Sequence, residues 1–233
     1  MVGACAIVPA FDACSTLAPV VTGLRAALAV PVIVVDDGSR DATELVARDC
    51  GAIVVGHPEN RGKGAALRTG LAEAARRGMT MAVAVDADGQ HPAESALSVL
   101  RGSDDPRALV LGVRDLVRDG APASNQFGNN VSNFFLSMFS GRRLRDTACG
   151  LRRYPVAETL ALGARADRYE FEAEVVLRAI AAGLVIVEVP VVAIYPPPGG
   201  QTHRRSVADP MRIVAVVART AAELRFGRKT RRV

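Results

Sequence analysis

Residues 81–92 read MAVAVDADGQHP. An apolar, partly β-branched run from Met81 to Val85 breaks off into two carboxylates, Asp86 and Asp88, followed by Gly89, Gln90, His91 and Pro92. A short apolar run bounded by Gly and Pro has the length and character of a strand. Upstream, similar runs recur at Ala4 to Val8, Val32 to Val35 and Ala52 to Val55, and downstream at Ala108 to Leu111. Between them lie longer Ala, Leu and Arg rich segments with apolar residues at helical spacing: Leu17 to Leu28, Ala42 to Cys50, Gly64 to Arg77 and Ala93 to Leu100. Strands alternating with helices predict βαβ units, so the class is α/β with a mostly parallel, Rossmann-like sheet flanked by helices.

Helical spacing continues through Asn129 to Phe139 and Phe171 to Ala182, and Leu184 to Val189 reads as another strand. The Pro and Gly clusters of YPPPGGQTHRRS, residues 195–206, mark a loop. From Asp209 to Phe226 the chain is amphipathic, and a basic cluster, Arg225, Arg228, Lys229, Arg231 and Arg232, closes it. The expected organisation is one α/β domain over residues 1–207, followed by an amphipathic helix and basic tail over 208–233.

With 233 residues, 49% of them hydrophobic, the chain can bury one sizeable core. Cys5, Cys14, Cys50 and Cys149 have no CxxC spacing, which predicts reduced thiols rather than a zinc site or a disulfide framework. No apolar run reaches the length of a membrane span, and the amino terminus lacks the pattern of a signal peptide. These features predict a cytoplasmic protein that touches at most the face of a membrane. Nucleic acid is a poor partner, because the chain lacks tryptophan and its basic residues gather in the tail instead of interleaving with aromatic stacking platforms.

In open α/β sheets ligands bind at the carboxyl ends of strands. Three expected strand ends carry charge: Pro9, Ala10, Phe11 and Asp12; Asp36, Asp37, Gly38 and Ser39; and Asp86, Ala87 and Asp88. VVDDGSRD by itself is a strand-to-helix turn, although a carboxylate there can also accept from a base N–H or a ribose hydroxyl. Two carboxylates one residue apart repel each other unless a cation lies between them, and Mg²⁺ or Mn²⁺ suits oxygen ligands shared with a diphosphate. NRGKGAALRTG, residues 60–70, is a glycine-rich lead into a helix, where free N–H groups with Arg61, Lys63 or Arg68 could meet phosphates. Tight helix-to-sheet packing explains its glycines equally well. It is neither a Walker loop nor a dinucleotide fingerprint.

Taken in order, IVPAFDA, VIVVDDGSRDAT, NRGKGAALRTG, VDADGQHP, GVRD and DTACGLRRYP resemble the family 2 glycosyltransferases of the GT-A fold, in particular the dolichyl-phosphate mannose and polyprenyl-phosphate glucose synthase branch. The resemblance spans roughly residues 5 to 155, and THRRSVADPMRI, with Arg204, is similar to the family's later basic segment. It implies that Pro9, Phe11 and Asp37 line a nucleoside pocket, with Asp36 beside them. Asp86 and Asp88 would flank the metal and diphosphate, Gln90 would complete the metal site, and Arg114 would contact phosphate. Asp146 would lie on the acceptor side, while Cys149 and Gly150 would serve packing. The opening motif departs from the family's usual PAYNE: Phe11 lacks a phenol hydroxyl and Ala13 an acidic group.

The implied activity is inverting transfer from a nucleotide-diphospho-sugar, a GDP- or UDP-sugar, to a polyprenyl phosphate. Alternatives are a hydroxyl acceptor on a small molecule, glycan or protein, or a degenerate nucleotide-sugar-binding module. The terminal amphipathic segment is expected either to lie at a membrane surface or to pack on the core.

Overall fold

In a computed structural model of the chain, residues 3–195 and 208–230 are described, with side chains of the last segment described from Arg212 to Leu224. Five parallel strands form where apolar runs were expected: β1 (Ala4–Ala10), β2 (Val32–Asp36), β3 (Ile53–Gly56), β4 (Met81–Ala84) and β5 (Leu109–Arg114). Two more complete the sheet, β6 (Arg152–Pro155) and β7 (Ile186–Val191), in the order β3-β2-β1-β4-β6-β5-β7. β6 alone runs antiparallel, wedged between β4 and β5.

The helices are α1 (Cys14–Leu28), α2 (Thr43–Asp49), α3 (Lys63–Arg76), α4 (Ala93–Leu100), α5 (Ala123–Ser140), α6 (Val156–Ala161), α7 (Glu170–Ala181) and α8 (Ala208–Thr230). Both faces of the sheet are covered, so alternate strand residues enter two separate cores. Ile7, Ile33, Val35 and Leu109 pack with Leu67 and Leu71 of α3 and Phe171 and Val175 of α7. Val8, Val32, Val34 and Val83 pack with Leu17, Val21 and Leu24 of α1 and Val99 of α4. Each such fully buried aliphatic side chain contributes roughly 1.5–3 kcal/mol relative to its exposed state.

Gly70 of α3 shows why small residues lead that helix: a methyl group there would lie 2.5 Å from Ile7 Cγ2 of β1. A methyl at Gly64 would lie 2.6 Å from the Ala166 carbonyl oxygen. The packing explanation of these glycines therefore holds.

The sequence reading passed over β6 and α6. RRYP is a poor strand by composition, yet Arg152, Arg153 and Tyr154 are among the largest fully buried side chains. The arginines are tolerated because carbonyl oxygens receive them: Arg153 donates to Leu100, Ser103 and Asp105 at the end of α4, and Arg152 to Cys149, Thr147 and Glu172. Buried charge is stable when it is hydrogen-bonded, and of the two guanidinium groups only Arg153 Nε lacks a partner among the described residues.

α8 packs against α5 and α7, with Val217 and Thr220 fully buried and Ile213 against the core. Ile213 and Val217 thus meet the protein body, while Ala215, Ala218 and Ala222 are exposed. The expected loop beyond Tyr195, with Arg204, and the basic residues from Arg225 onward lie outside the described residues or side chains. All four cysteines are free thiols. No described helix is long and apolar enough to cross a membrane.

Candidate functional site

The carboxyl ends of β1, β2, β4 and β5 gather Pro9, Ala10, Asp36, Asp86, Ala87, Asp88, Gln90 and Arg114 along one sheet edge. Because β6 is antiparallel, the segment leading into it, Asp146 to Leu151, arrives at the same edge.

The β1–α1 and β2–α2 turns are stitched together. Asp12 takes a positive φ of 48° and accepts from the Arg40 N–H at 2.8 Å, while its own N–H donates to Ser39 Oγ at 3.0 Å. Asp residues tolerate this backbone region better than most. The Asp37 N–H donates to the Ala10 carbonyl at 2.8 Å. The two adjacent aspartates then differ in use. Asp37 accepts from the Arg61 and Gly62 N–H groups at 3.0 and 2.7 Å and pairs with His57 Nδ1 at 2.6 Å, anchoring the lead into α3. His57 Nε2 continues to Thr69 Oγ1 at 2.9 Å. Asp36 accepts from the Ser39 N–H at 3.0 Å through one oxygen, Oδ1. Phe11 stands at the rim, 38% exposed.

Lys63, the first residue of α3, is buried beside Asp86: its Nζ lies 2.5 Å from Asp86 Oδ1 and 3.2 Å from Glu172 Oε1 of α7. Burial works against the ammonium charge, but Asp86 and Glu172 outweigh it and raise the Lys63 pKa. Glu172 also faces Arg152, 4.0 Å away. Gly150 is confined by this cluster, since a methyl there would lie 2.6 Å from Lys63 Nζ and closer still to Asp86 Oδ2. Asp88 accepts from the Gln90 N–H at 3.0 Å, and burial together with the Asp86 charge pushes its pKa up.

This donor set fits a hard divalent cation. Two carboxylates and an amide offer oxygen ligands, and the repulsion borne by Asp88 is what a cation between the carboxylates would relieve. Among the described residues no three His, Cys, Asp or Glu side chains converge. Few protein ligands are typical of Mg²⁺ sites that share the ion with substrate phosphates.

Arg114, at the end of β5, is gripped by Asp146. Its N–H, Nε and Nη2 donate to the two carboxylate oxygens at 3.0, 2.8 and 2.9 Å, and Nη1 donates to Tyr195 Oη at 3.2 Å. Asp146 also accepts from the Ala148 N–H at 3.3 Å and is 2% exposed. Burial opposes its ionisation, but the Arg114 hydrogen bonds prevail and hold the carboxyl below its usual range. Asn129 and Asn133 of α5 fix this segment by accepting from the Ala148 and Thr147 N–H groups. His91 ties Gln90 and its neighbours to the end of β7, with Nδ1 3.2 Å from the Val192 carbonyl, and feels the charges of Asp86, Arg114 and Asp88. Burial lowers its pKa and pushes that of Cys149, 3.8 Å from its Nε2, up to about 12. The thiol therefore stays neutral and packs.

A scan of the sequence against family profiles matches Glycosyl transferase family 2 over residues 5–154. The chain belongs to that family. A family 2 chain is a transferase of sugars. It is 29% identical over 214 residues to a UDP-N-acetylglucosamine–dolichyl-phosphate N-acetylglucosaminyltransferase of Methanococcus voltae, covering 81% of this chain and 84% of that one. Over 200 residues it is 32% identical to the polyprenol monophosphomannose synthase of Mycolicibacterium smegmatis, covering 79% and 75%. Among solved structures, the glucosyl-3-phosphoglycerate synthase of Mycobacterium tuberculosis, in complex with Mn²⁺, UDP and glucosyl-3-phosphoglycerate, superposes with a TM-score of 0.71 at 21% identity, covering 94% of this chain and 80% of that one. That likeness establishes the GT-A fold of this family 2 chain.

One expected donor-site residue, Arg68, does not face the sheet edge. Arg68 lies roughly 140° around α3 from Lys63 at 100° per residue, so it turns to the seam with α7. There it donates to the Ala166 carbonyl and pairs with Asp167, over the Phe171 ring. Arg204 is outside the described residues. Sequence reasoning also missed Glu172, Arg152, His57 and His91. The signal for Glu172 was available: Glu170, Glu172 and Glu174 alternate in an otherwise apolar segment, so some must be buried and paired.

Proposed function

We propose that this glycosyltransferase moves a sugar from a nucleotide-diphospho-sugar to a polyprenyl phosphate. The observation carrying this reading is the pair Asp86 and Asp88 at the end of β4, on the same edge as Asp36 and Arg114. Similarity along most of the chain to enzymes named for dolichyl or polyprenyl phosphate supports the acceptor class.

Asp86, Asp88 and the Gln90 amide would hold Mg²⁺ or Mn²⁺, which supplies Lewis-acid charge to the departing diphosphate. Asp36 has an oxygen outside its Ser39 hydrogen bond to accept from the base or ribose, with Pro9, Ala10 and Phe11 forming the wall beside it. Asp37 shapes the pocket through the backbone of Arg61 and Gly62 rather than by direct contact. Lys63 pairs with Asp86 and orients it, and Gly150 leaves room for the pair. Arg114 presents positive charge to phosphate oxygens, and Asp146 orients its guanidinium.

The condition of Asp146 bears on the acceptor. Both oxygens accept hydrogen bonds and its proton affinity is depressed, a poor state for a general base. A hydroxyl acceptor would require such a base, whereas a lipid phosphate arrives already anionic.

The test is a screen of UDP-, GDP- and TDP-sugars with Mg²⁺ or Mn²⁺, scoring donor hydrolysis and transfer to short polyprenyl phosphates. Transfer that depends on the ion and collapses in Asp88→Ala is expected. Undiminished metal-dependent turnover by Asp88→Ala would defeat the donor-site assignment.

A further inference from the structure

α5 is built inside out. Its inward face carries Asn129, Ser132 and Leu136, and the first two are buried because polar partners receive them: the Ala148 N–H and Thr147 Oγ1. The opposite face carries Phe127, Phe134 and Met138, which are 73%, 63% and 53% exposed. Positions 127, 134 and 138, with half-buried Val131 among them, fall within one stripe of an α-helix. A helix that turns asparagine inward and phenylalanine outward presents its apolar side to something outside the fold.

The surroundings identify the chemistry of that partner. From Ala121 to Arg145 the chain holds three arginines and no acidic residue. Arg145 pairs with Glu188, but Arg142 meets the Ile186 carbonyl and, among the described residues, no carboxylate. Arg143 is exposed at the lip of a groove of about 520 Å³, which it lines with Asn130, Asn133, Phe134, Ser137 and Met138. Association with a second copy through this face would bring arginines together with no carboxylate in the segment to meet them. An apolar stripe beside uncompensated arginines matches the boundary between acyl chains and anionic headgroups. α8 offers less: its exposed described side chains are Arg212, Ala215, Ala218, Arg219, Ala222 and Glu223.

We propose that the outer face of α5 docks the protein on an anionic phospholipid bilayer, with Phe127, Phe134 and Met138 in the headgroup region and Arg143 on lipid phosphates. α5 lies on the membrane and does not cross it, since no described helix qualifies as a span. Asn129 and Asn133 link it to the segment that carries Asp146, so docking would set the site's orientation to the surface. The docking surface stands on α5's own residues. Only its purpose, presenting the site to a lipid-borne acceptor, rests on the acceptor proposed above.

The test is co-sedimentation of the full chain with phosphatidylcholine vesicles, with and without phosphatidylglycerol, at low and high salt. The wild type is expected on the anionic vesicles at low salt. Phe134→Glu/Met138→Glu should bind at least about tenfold more weakly, as should Arg143→Glu, with unchanged circular dichroism and melting. Leu45→Glu, on α2 at a position 61% exposed, should bind as wild type. Transfer to a short, water-soluble polyprenyl phosphate should survive in the double variant. Equal vesicle binding by wild type and double variant, no binding by the wild type, or a wild-type dimer that the double variant dissolves would overturn the inference. If instead α5-dependent binding is present and no polyprenyl phosphate accepts sugar, the acceptor reading fails and the docking surface stands.

Discussion

Gly150→Ala adds one methyl group where the structure has little room for it. The new carbon would lie 2.6 Å from Lys63 Nζ, roughly 0.8 Å inside the 3.4 Å at which ordinary contact begins, and closer still to Asp86 Oδ2. Lys63 and Asp86 are themselves joined at 2.5 Å, so neither can retreat without moving the other. Lys63 is also held by Glu172 at 3.2 Å. Overpacking of this kind costs about 1–3 kcal/mol, offset by about 0.4–1 kcal/mol because alanine restricts the unfolded chain. A net loss of about 1–2 kcal/mol, at about 2–4 °C per kcal/mol for a chain of this size, predicts a melting temperature lower by several degrees. Displacing Asp86 by a large fraction of an ångström predicts a fall in turnover on the order of a hundredfold. Gly56→Ala is the matched control, since its added carbon meets nothing within 4 Å. Thermal melts and donor consumption with Mn²⁺ would be measured for both. A Gly150→Ala protein as stable and active as Gly56→Ala would refute the claim that the Lys63–Asp86 pair is confined against this backbone.

Arg114→Leu leaves the Asp146 carboxylate buried without its cation, and unfolding in urea should show a loss of about 3–5 kcal/mol. Adding Asp146→Leu should restore part of that stability without restoring transfer, and equal stabilities for the single and double variants would contradict the pairing. Asp41, at the start of α2, accepts from the Cys14 and Thr43 N–H groups and the Thr43 hydroxyl. Burial opposes its charge, but these hydrogen bonds prevail and hold the carboxyl at about 2. Its folded pKa is below the unfolded one, so its stabilisation is complete above about pH 4 and fades as pH falls toward 2. Asp41→Asn should therefore lower the urea midpoint at neutral pH by more than it does near pH 2, and a gap that widens on acidification would show the sign to be wrong.

The first half of the chain was legible because its physics is local. Val32–Asp36 and Met81–Ala84 are apolar on both faces, as strands covered on both sides must be, and each runs directly into the carboxylates that mark the sheet edge. The second half stores its information in pairs far apart in sequence. Arg152 and Arg153 read as surface residues until the carbonyls of Leu100, Ser103, Thr147 and Glu172 are brought to them, and only those carbonyls make a central strand of RRYP. Phe127, Phe134 and Met138 give α5 a sound amphipathic pattern, but the pattern does not say which face turns inward; Asn129 and Ser132 decide that through partners in the segment after Gly141.

The same principle separates the residues that a motif names from those that make it work. The pair Asp86 and Asp88 is visible in eight consecutive residues, whereas the counter-charge of Asp86 comes from Lys63, and that lysine is steadied by Glu172. Glu172 in turn faces Arg152, which holds the carbonyls of Thr147 and Cys149 on either side of Ala148. Asp146 and Arg114 lie at the far end of that segment. A chain of alternating charge thus runs from the carboxylate proposed for the metal to the guanidinium proposed for phosphate, through α3, α7 and β6. If this chain sets the geometry of the site, Glu172→Gln, which keeps the shape and removes one charge, should impair turnover more than it impairs folding. Single-turnover rates set beside urea midpoints would show it, and a loss of stability with transfer intact in the remaining folded protein would reduce Glu172 to an ordinary partner of a buried lysine.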